Sequence, residues 1–571
     1  MKFLNNLRLS EHLKSKIRSL GSLKKLEFIT SKSGDKTIRK NGILIHSAYD
    51  PVREAENLVK QLPLEKGNRY IFVLLGLGLG YHLEILKREF PESVFIPVEL
   101  DEDILVAFIQ NRDDFVITRY NKNDIYSVLN FVDFALIKDV KFIQLPSLYR
   151  IYRSEYDEIG NEIARVVKAK FADLLTRINF DKLWVKNVLL NIPSILKYGS
   201  LSEDTQREFI LGVRDKPFVI VGAGYSGLLL FDIIKKYRDR FILCAVDTVL
   251  KSLLSFGITP DIIFALDSQI ANIKDFFGIK TEGLTLFADV VVSPELVRNF
   301  RGRVLITKTS HTEVIGGIKF EITNSVVSWV EEILGYRLLG LESGGSVITN
   351  LFHLSLLLGA NPIIMIGVDL GFPYLVSHIV GTPSNEHFIL KGNVFSTSDT
   401  ISTNYVLKDY IKAESVNGGE CITHKIMETY KLWFDSASDT SNLNNVYNIS
   451  DGVKLKGINS LSTSDGREFF DSFFSNKPSI SIKTIEPKSI DIDTRRILKN
   501  FSILSEDLEF LIKDFSQDKF NQMIRQYPFL SNVVSKTLFP VYRGQKSFED
   551  VVDEIKKDFG YLVNILKNLH L

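Results

Sequence analysis

The sequence predicts an α/β protein with two Rossmann-like α/β domains in tandem and a C-terminal helical region. Three observations predict it. A short β-branched run, a glycine turn, a helix, a strand and an acid follow one another from Tyr70 to Glu99. The same order recurs from Lys216 to Asp267, with Val219-Ile-Val221 stopping at Gly222 and apolar residues at helical spacing from Leu228 to Tyr237. After Arg495 the apolar residues fall at i, i+3 and i+4, as in Phe501, Leu504, Leu508 and Leu511, which is the pattern of a helix with one buried face. The domains read as 1–150 (N-terminal α/β), 151–215 (helical connector), 216–458 (central α/β), 459–494 (a Ser-, Lys- and Asp-rich linker) and 495–571 (helical).

Composition excludes several classes. The 571 residues carry a formal net charge of +1, so the chain lacks the basic footprint of a nucleic-acid-binding domain. Two cysteines, Cys244 and Cys421, are too few for a disulfide framework or a cysteine-rich metal site, which suits a reducing cytoplasm. The segment Met1 to Arg8 has no apolar core or cleavage site of a signal peptide. The most apolar window, Ile348 to Phe372, is interrupted by Asn350, His353, Asn361, Pro362 and Asp369; it predicts a buried helix and strand, not a membrane span.

In the N-terminal part, Asp50 before Pro51 predicts a capped helix start. The turn Gly76-Leu-Gly-Leu-Gly80 with Glu99 beyond the next strand allows two readings. It is either a nucleoside site like that of a methyltransferase core, with the acid accepting ribose hydroxyls, or a tight turn that binds nothing. Asp101-Glu-Asp103 is either an Asp-x-Asp metal clamp or the acidic first turn of a helix.

The central domain collects the candidate site residues. Gly222, Ala223, Gly224 and Ser226 form a turn in which a phosphate can approach the backbone. Asp247 with Thr248, and Asp267 with Gln269, follow the next two strands, where open α/β sheets bind ligands. Gly344, Gly345 and Ser346 precede a strongly apolar helix; Ser346 either caps that helix or donates to a phosphate oxygen. A further strand leads to Asp369, and an irregular loop carries His378. Taken alone, Gly222-x-Gly224-x-x-Gly227 with Asp247 is the dinucleotide fingerprint of an oxidoreductase.

The wider pattern resembles the motility accessory factor family, the flagellin nonulosonate glycosyltransferases, whose central domain is of the 6-hydroxymethylpterin diphosphokinase (MptE-like) type. The resemblance lies in His46-Ser-Ala-Tyr-Asp-Pro51, Gly76 to Leu83, Trp184, Asn187 and Asn191. In the centre it lies in Val221 to Ser226, Ala245 to Thr248, Gly257 to Asp261, Leu266 to Gln269, Gly344 to Val347, Gly367 to Leu370, His378 and Tyr447 to Gly457. The chain departs from the family at Tyr225, where proline is usual, at Gly227, where leucine is usual, and at Val368, often glutamine.

The resemblance implies a central fold like that of bacterial sialyltransferases. It implies transfer of a pseudaminic- or legionaminic-type acid from a CMP-activated donor to Ser or Thr of flagellin, in support of motility. His378 would be the base, with Asp267 and Asp369 beside it. Gly222, Ala223, Gly224, Ser226, Asp247, Thr248, Gln269, Gly344, Gly345 and Ser346 would hold the donor. No cofactor or metal is required, because the leaving group is a nucleoside monophosphate. The rival that shares the resemblance is a pterin diphosphokinase, which would use ATP and Mg²⁺; a non-catalytic flagellar assembly factor is a third reading.

Overall fold

The computed structural model describes residues 26–109, 116–117, 129, 132–201, 212–315, 318–440, 443–480 and 492–569. The residues read above for a signal peptide lie outside this set, as does 481–491 of the expected linker. The chain forms two compact units, Met1–Asn179 with Ser535–Asp553, and Phe180–Val534 with Glu554–Leu571.

In the first unit, β1 (Leu26–Thr30), β2 (Lys36–Lys40) and β3 (Ile43–Leu44) make an antiparallel sheet. The helix α1 (Pro51–Lys60) starts as predicted: the Asp50 side chain accepts from the Arg53 N–H, and Pro51 opens the helix. A parallel sheet of order β5-β4-β6 follows, from β4 (Arg69–Leu75), β5 (Val94–Val98) and β6 (Ile137–Gln144). Between β4 and β5 lies α2 (Tyr81–Glu89). A long helix, α3 (Arg153–Leu190), begins in this unit and ends in the second.

The second unit is built on one sheet. Its strands are β7 (Phe218–Val221), β8 (Ile242–Val246), β9 (Ile262–Ala265), β10 (Thr285–Asp289), β11 (Arg303–Ile315), β12 (Ile318–Thr323), β13 (Leu339–Leu341) and β14 (Ile363–Ile366). The hairpin β15 (Ile411–Glu414) and β16 (Glu420–Thr423) stands apart, and β17 (Val446–Ile449) and β18 (Asn459–Leu461) complete the sheet. The order is β12-β11-β10-β9-β8-β7-β14-β17-β18, with β13 on β11. Every pairing in it is parallel except β11 with β12. The central runs Phe-Val-Ile-Val, Ile-Leu-Cys-Ala-Val and Ile-Ile-Met-Ile are buried throughout, as strands covered on both faces must be.

From β7 the chain moves outward through β8 to β11, then returns to lay β14 on the other side of β7 and continues to β17 and β18. The direction of progress reverses between β7 and β14. The crevice beyond the carboxyl ends of such a pair is where an open α/β sheet takes its ligand.

One expectation is corrected. The segment read as a linker from 459 supplies β18 and a helix at Thr463–Phe474, whose Phe470 and Phe474 are buried in the main core. Its phenylalanines at helical spacing outweigh the Ser- and Asp-rich composition that suggested a linker. Beyond it, helices at Thr494–Lys513, Gln517–Gln526 and Val552–Lys567 bear out the helical C-terminal region. Among the described residues, no helix is long and apolar enough to cross a membrane.

Candidate active site at the carboxyl edge of the sheet

The glycine turn after β7 is pressed against the end of β14. The N–H groups of Gly222 and Gly224 donate to the carbonyls of Ile366 and Gly367, both at 2.9 Å. A Cβ on Gly224 would lie 2.6 Å from the Gly367 carbonyl oxygen and 2.6 Å from Cγ of Asp369. The glycines are therefore required for the close approach of two strand ends.

Asp369 is buried and closes the same contact. Its carboxylate accepts from the Ser226 N–H at 3.1 Å, from the Ser226 hydroxyl, and from the Ser450 hydroxyl at 2.8 Å. Burial raises its pKa in spite of these donors. Gly222, Gly224 and Ser226 thus use their expected phosphate donors to join β7 to β14, and Asp369 is a positioning residue in this conformation.

The next strands each end in an acid. Asp247 after β8 is buried, accepts from Thr248 N–H at 2.8 Å and from Asn272 Nδ2 at 2.9 Å, and has its pKa pushed up to about 6 by burial. Asn272 also donates to Asp275 at 2.9 Å; burial and then the charge of Asp247 push Asp275 up to about 7. Asp267 after β9 is exposed and accepts from the Gln269 N–H at 2.9 Å. Asp289 ends β10 buried, accepting from Thr309 Oγ1 at 2.8 Å and the Val291 N–H at 3.0 Å, and burial pushes it up to about 6. The sheet therefore brings Asp247, Asp267, Asp289 and Asp369 to one edge.

The loops on this edge are clamped by the end of α3 and by Asn191 just after it. Asn187 Nδ2 donates to the carbonyls of Ser268 and Val291 at 2.9 and 2.8 Å, and Asn191 Nδ2 donates to those of Val290 and Val292, both at 2.9 Å. Trp184 Nε1 reaches Ser268 Oγ at 3.2 Å. These three residues carried part of the resemblance, and their work here is to hold the loops after β9 and β10.

Helix α4 (Val347–Leu357) presents its N-terminus after β13. Ser346 sits at the cap position in extended backbone, but its hydroxyl does not cap the helix. Gly345 is exposed with φ +90°, a region that favours glycine. Gly344 is packed so closely that a Cβ would meet Trp433 at 2.6 Å.

His378 lies on the loop after β14. The neighbouring Ile379 N–H donates to the Ala223 carbonyl at 3.0 Å, which docks this loop on the glycine turn. Among the described residues its buried Nδ1 has no hydrogen-bond partner, and burial lowers its pKa. The imidazole is therefore neutral at pH 7, the form that can accept a proton.

The strand-end pattern that identified Asp247 and Asp267 also points to Asp289, which sequence reasoning passed over. Asn272 and Asp275 were missed because their roles depend on Asp247, which only folding brings beside them.

The N-terminal glycine turn is filled by its own neighbours. Glu99 accepts from the N–H groups of Leu77 at 2.8 Å and Gly78 at 3.4 Å, and burial pushes its pKa up to about 7. His46 Nε2 accepts from the Leu79 N–H at 2.8 Å. Lys40 bonds both Asp101, at 2.5 Å, and Asp103, at 2.7 Å, so an ammonium stands where a metal clamp would hold its ion. Among the described residues, no three His, Cys, Asp or Glu side chains converge as a metal would require.

The topology defines an α/β protein whose largest sheet has a crevice at the switch between β7 and β14. Residues 186–374 match the family described as 6-hydroxymethylpterin diphosphokinase MptE-like. The structure of a Maf glycosyltransferase from Magnetospirillum magneticum AMB-1 shares the fold across 97% of this chain and 93% of that one, with a TM-score of 0.54 and 16% identity. A central segment thus matches the MptE-like family and the chain shares its fold with that Maf glycosyltransferase structure, as the resemblance read from the sequence implies. Two uncharacterized proteins of Treponema pallidum are also similar. One is 26% identical over 270 residues, 46% of each chain, and the other is 23% identical over 172 residues, 28% of this chain and 58% of that one. The chain spans about half the length of these curated relatives.

Proposed function

We infer that the protein is a glycosyltransferase that moves a nonulosonic acid, of pseudaminic or legionaminic type, from a CMP-activated donor to Ser or Thr hydroxyls of flagellin. The observation that carries this reading is the convergence at one sheet edge of a strand-switch crevice, an α4 N-terminus that the Ser346 hydroxyl leaves uncapped, and the His378 loop docked on the glycine turn through Ile379. The donor's phosphate would lie toward Ser346 and Gly345, where preorganised donors stabilise the charge that develops as CMP departs. His378 would take the proton of the acceptor hydroxyl as it attacks the anomeric carbon. Asp267, Gln269 and Thr248 would bond donor hydroxyls, while Asp247 and Asp369 hold the loops in place.

The MptE-like match favours a second reading, transfer of diphosphate from ATP to a pterin alcohol. A Mg²⁺ ion in that reaction would be carried chiefly by the nucleotide's phosphates, as is usual for this ion. One experiment separates the two. The full chain is incubated with flagellin and CMP-pseudaminic or CMP-legionaminic acid, and with 6-hydroxymethyl-dihydropterin, ATP and Mg²⁺, and both mixtures are read by mass spectrometry. A flagellin mass increase of one or more nonulosonic residues supports the transferase; pterin diphosphate without flagellin modification overturns it.

A further inference from the structure

Two tyrosines meet at the mouth of the crevice. Tyr225 opens the 3-10 turn that follows Gly224, and Tyr374 lies five residues beyond Asp369. Their ring centroids are 5.3 Å apart at 58°, so the pair forms an open corner rather than a closed stack. Tyr374 is 44% exposed, yet its position is fixed. Its hydroxyl donates to Asp451 at 2.5 Å, and Asp451 also accepts from the Thr463 N–H at 2.9 Å, Thr463 Oγ1 at 2.6 Å and Asn417 Nδ2 at 3.1 Å. Burial pushes the Asp451 pKa up, but these donors outweigh it and hold the group ionised below the usual carboxylate range.

The backbone adds a second observation. Leu370 and Leu375, on either side of Tyr374, have φ of +43° and +56°. Such values are costly for a residue with a branched side chain and persist where the surroundings over-determine them, often at ligand clamps. A carboxylate with four donors and two strained leucines are more than a surface tyrosine needs. Their combined effect is to present a rigid aromatic face beside the carboxyl ends of β7, β14 and β17.

The geometry points to Tyr225 and Tyr374 as a stacking platform for the flat base of the donor nucleotide, a pyrimidine in the reading above, on which this inference rests. An aromatic face suits a ring because stacking needs no hydrogen-bond register, and rigid rings lose little conformational entropy on binding.

The test is calorimetric titration of the full chain with CMP and with ribose 5-phosphate, which keeps the phosphate and sugar but lacks the base. Wild type should bind CMP more tightly. Tyr225→Ala should weaken CMP by roughly 5- to 150-fold, the range of one lost base stack, and leave ribose 5-phosphate unchanged. Tyr225→Phe should retain CMP affinity, and Tyr374→Phe, which keeps the ring but loses the Asp451 bond, should fall between. Equal weakening of both ligands, or none, in a Tyr225→Ala protein with the wild-type circular dichroism spectrum overturns the platform and leaves the transferase reading standing. Failure of wild type to bind CMP at all overturns both.

Discussion

Replacing Asp289 with asparagine should make the second unit more stable at pH 8 and leave it little changed at pH 4.5. Asp289 is buried at the end of β10, and burial raises its pKa from an ordinary 3.8 to about 6. A group raised in this way contributes stability that is fully present below its unfolded pKa and is lost as pH rises through the folded value. The window therefore runs from about pH 4 to about pH 6. A rise of about two pH units at about 1.36 kcal/mol each puts the loss on the order of 3 kcal/mol at pH 8. Asparagine carries no charge to bury and avoids that loss. Its Oδ1 can still accept from the Val291 N–H, while its Nδ2 faces Thr309, whose hydroxyl must turn to accept and whose N–H loses an acceptor, a cost of about 1–2 kcal/mol that the protonated Asp289 of low pH already bears. The assay is urea unfolding followed by tryptophan fluorescence. All three tryptophans, Trp184, Trp329 and Trp433, lie in the second unit, so the signal reports that unit alone. Equal destabilisation at both pH values would show that Asp289 is needed as a hydrogen-bonding carboxylate, and the desolvation reasoning would be wrong.

Other outcomes follow from the same geometry. Gly224→Ala places a Cβ against the Gly367 carbonyl and Asp369; it should cost about 1–3 kcal/mol by overpacking and lower transfer activity, checked by melting temperature and product mass. His378→Ala should abolish transfer and preserve the circular dichroism spectrum. Because burial lowers the His378 pKa, the acid limb of the wild-type pH–rate profile should lie below the ordinary histidine range; a limb at or above 6.5 would exclude this base. Asn187→Ala leaves the carbonyls of Ser268 and Val291 without their shared donor, and should destabilise the second unit by about 1–3 kcal/mol, measured by urea unfolding. In the first unit, Lys40→Met removes the ammonium between Asp101 and Asp103, and should lower that unit's thermal stability without altering CMP affinity.

The α/β class, the two glycine turns, the capped start of α1, the helical C-terminal region and the edge at which Asp247, Asp267 and Asp369 fall were all legible before folding was considered. Each of these is written in short-range periodicity or in the residue types a local turn demands. What the glycines are for emerges from long-range contacts. Gly222 and Gly224 look alike in a phosphate cradle and in a strand junction, and only the approach of Gly367 and Asp369, more than 140 positions away, distinguishes the two. The same holds for the N-terminal turn, closed by Glu99 and His46, and for Asp101 and Asp103, bridged by Lys40 from another strand. Composition misread the stretch from 459, because a strand added to a sheet edge and a helix with two buried phenylalanines need few apolar residues once a core is already there to receive them. Buried charge, shared donors and the corner made by Tyr225 and Tyr374 are properties of pairs far apart in sequence, and folding is what makes those pairs neighbours.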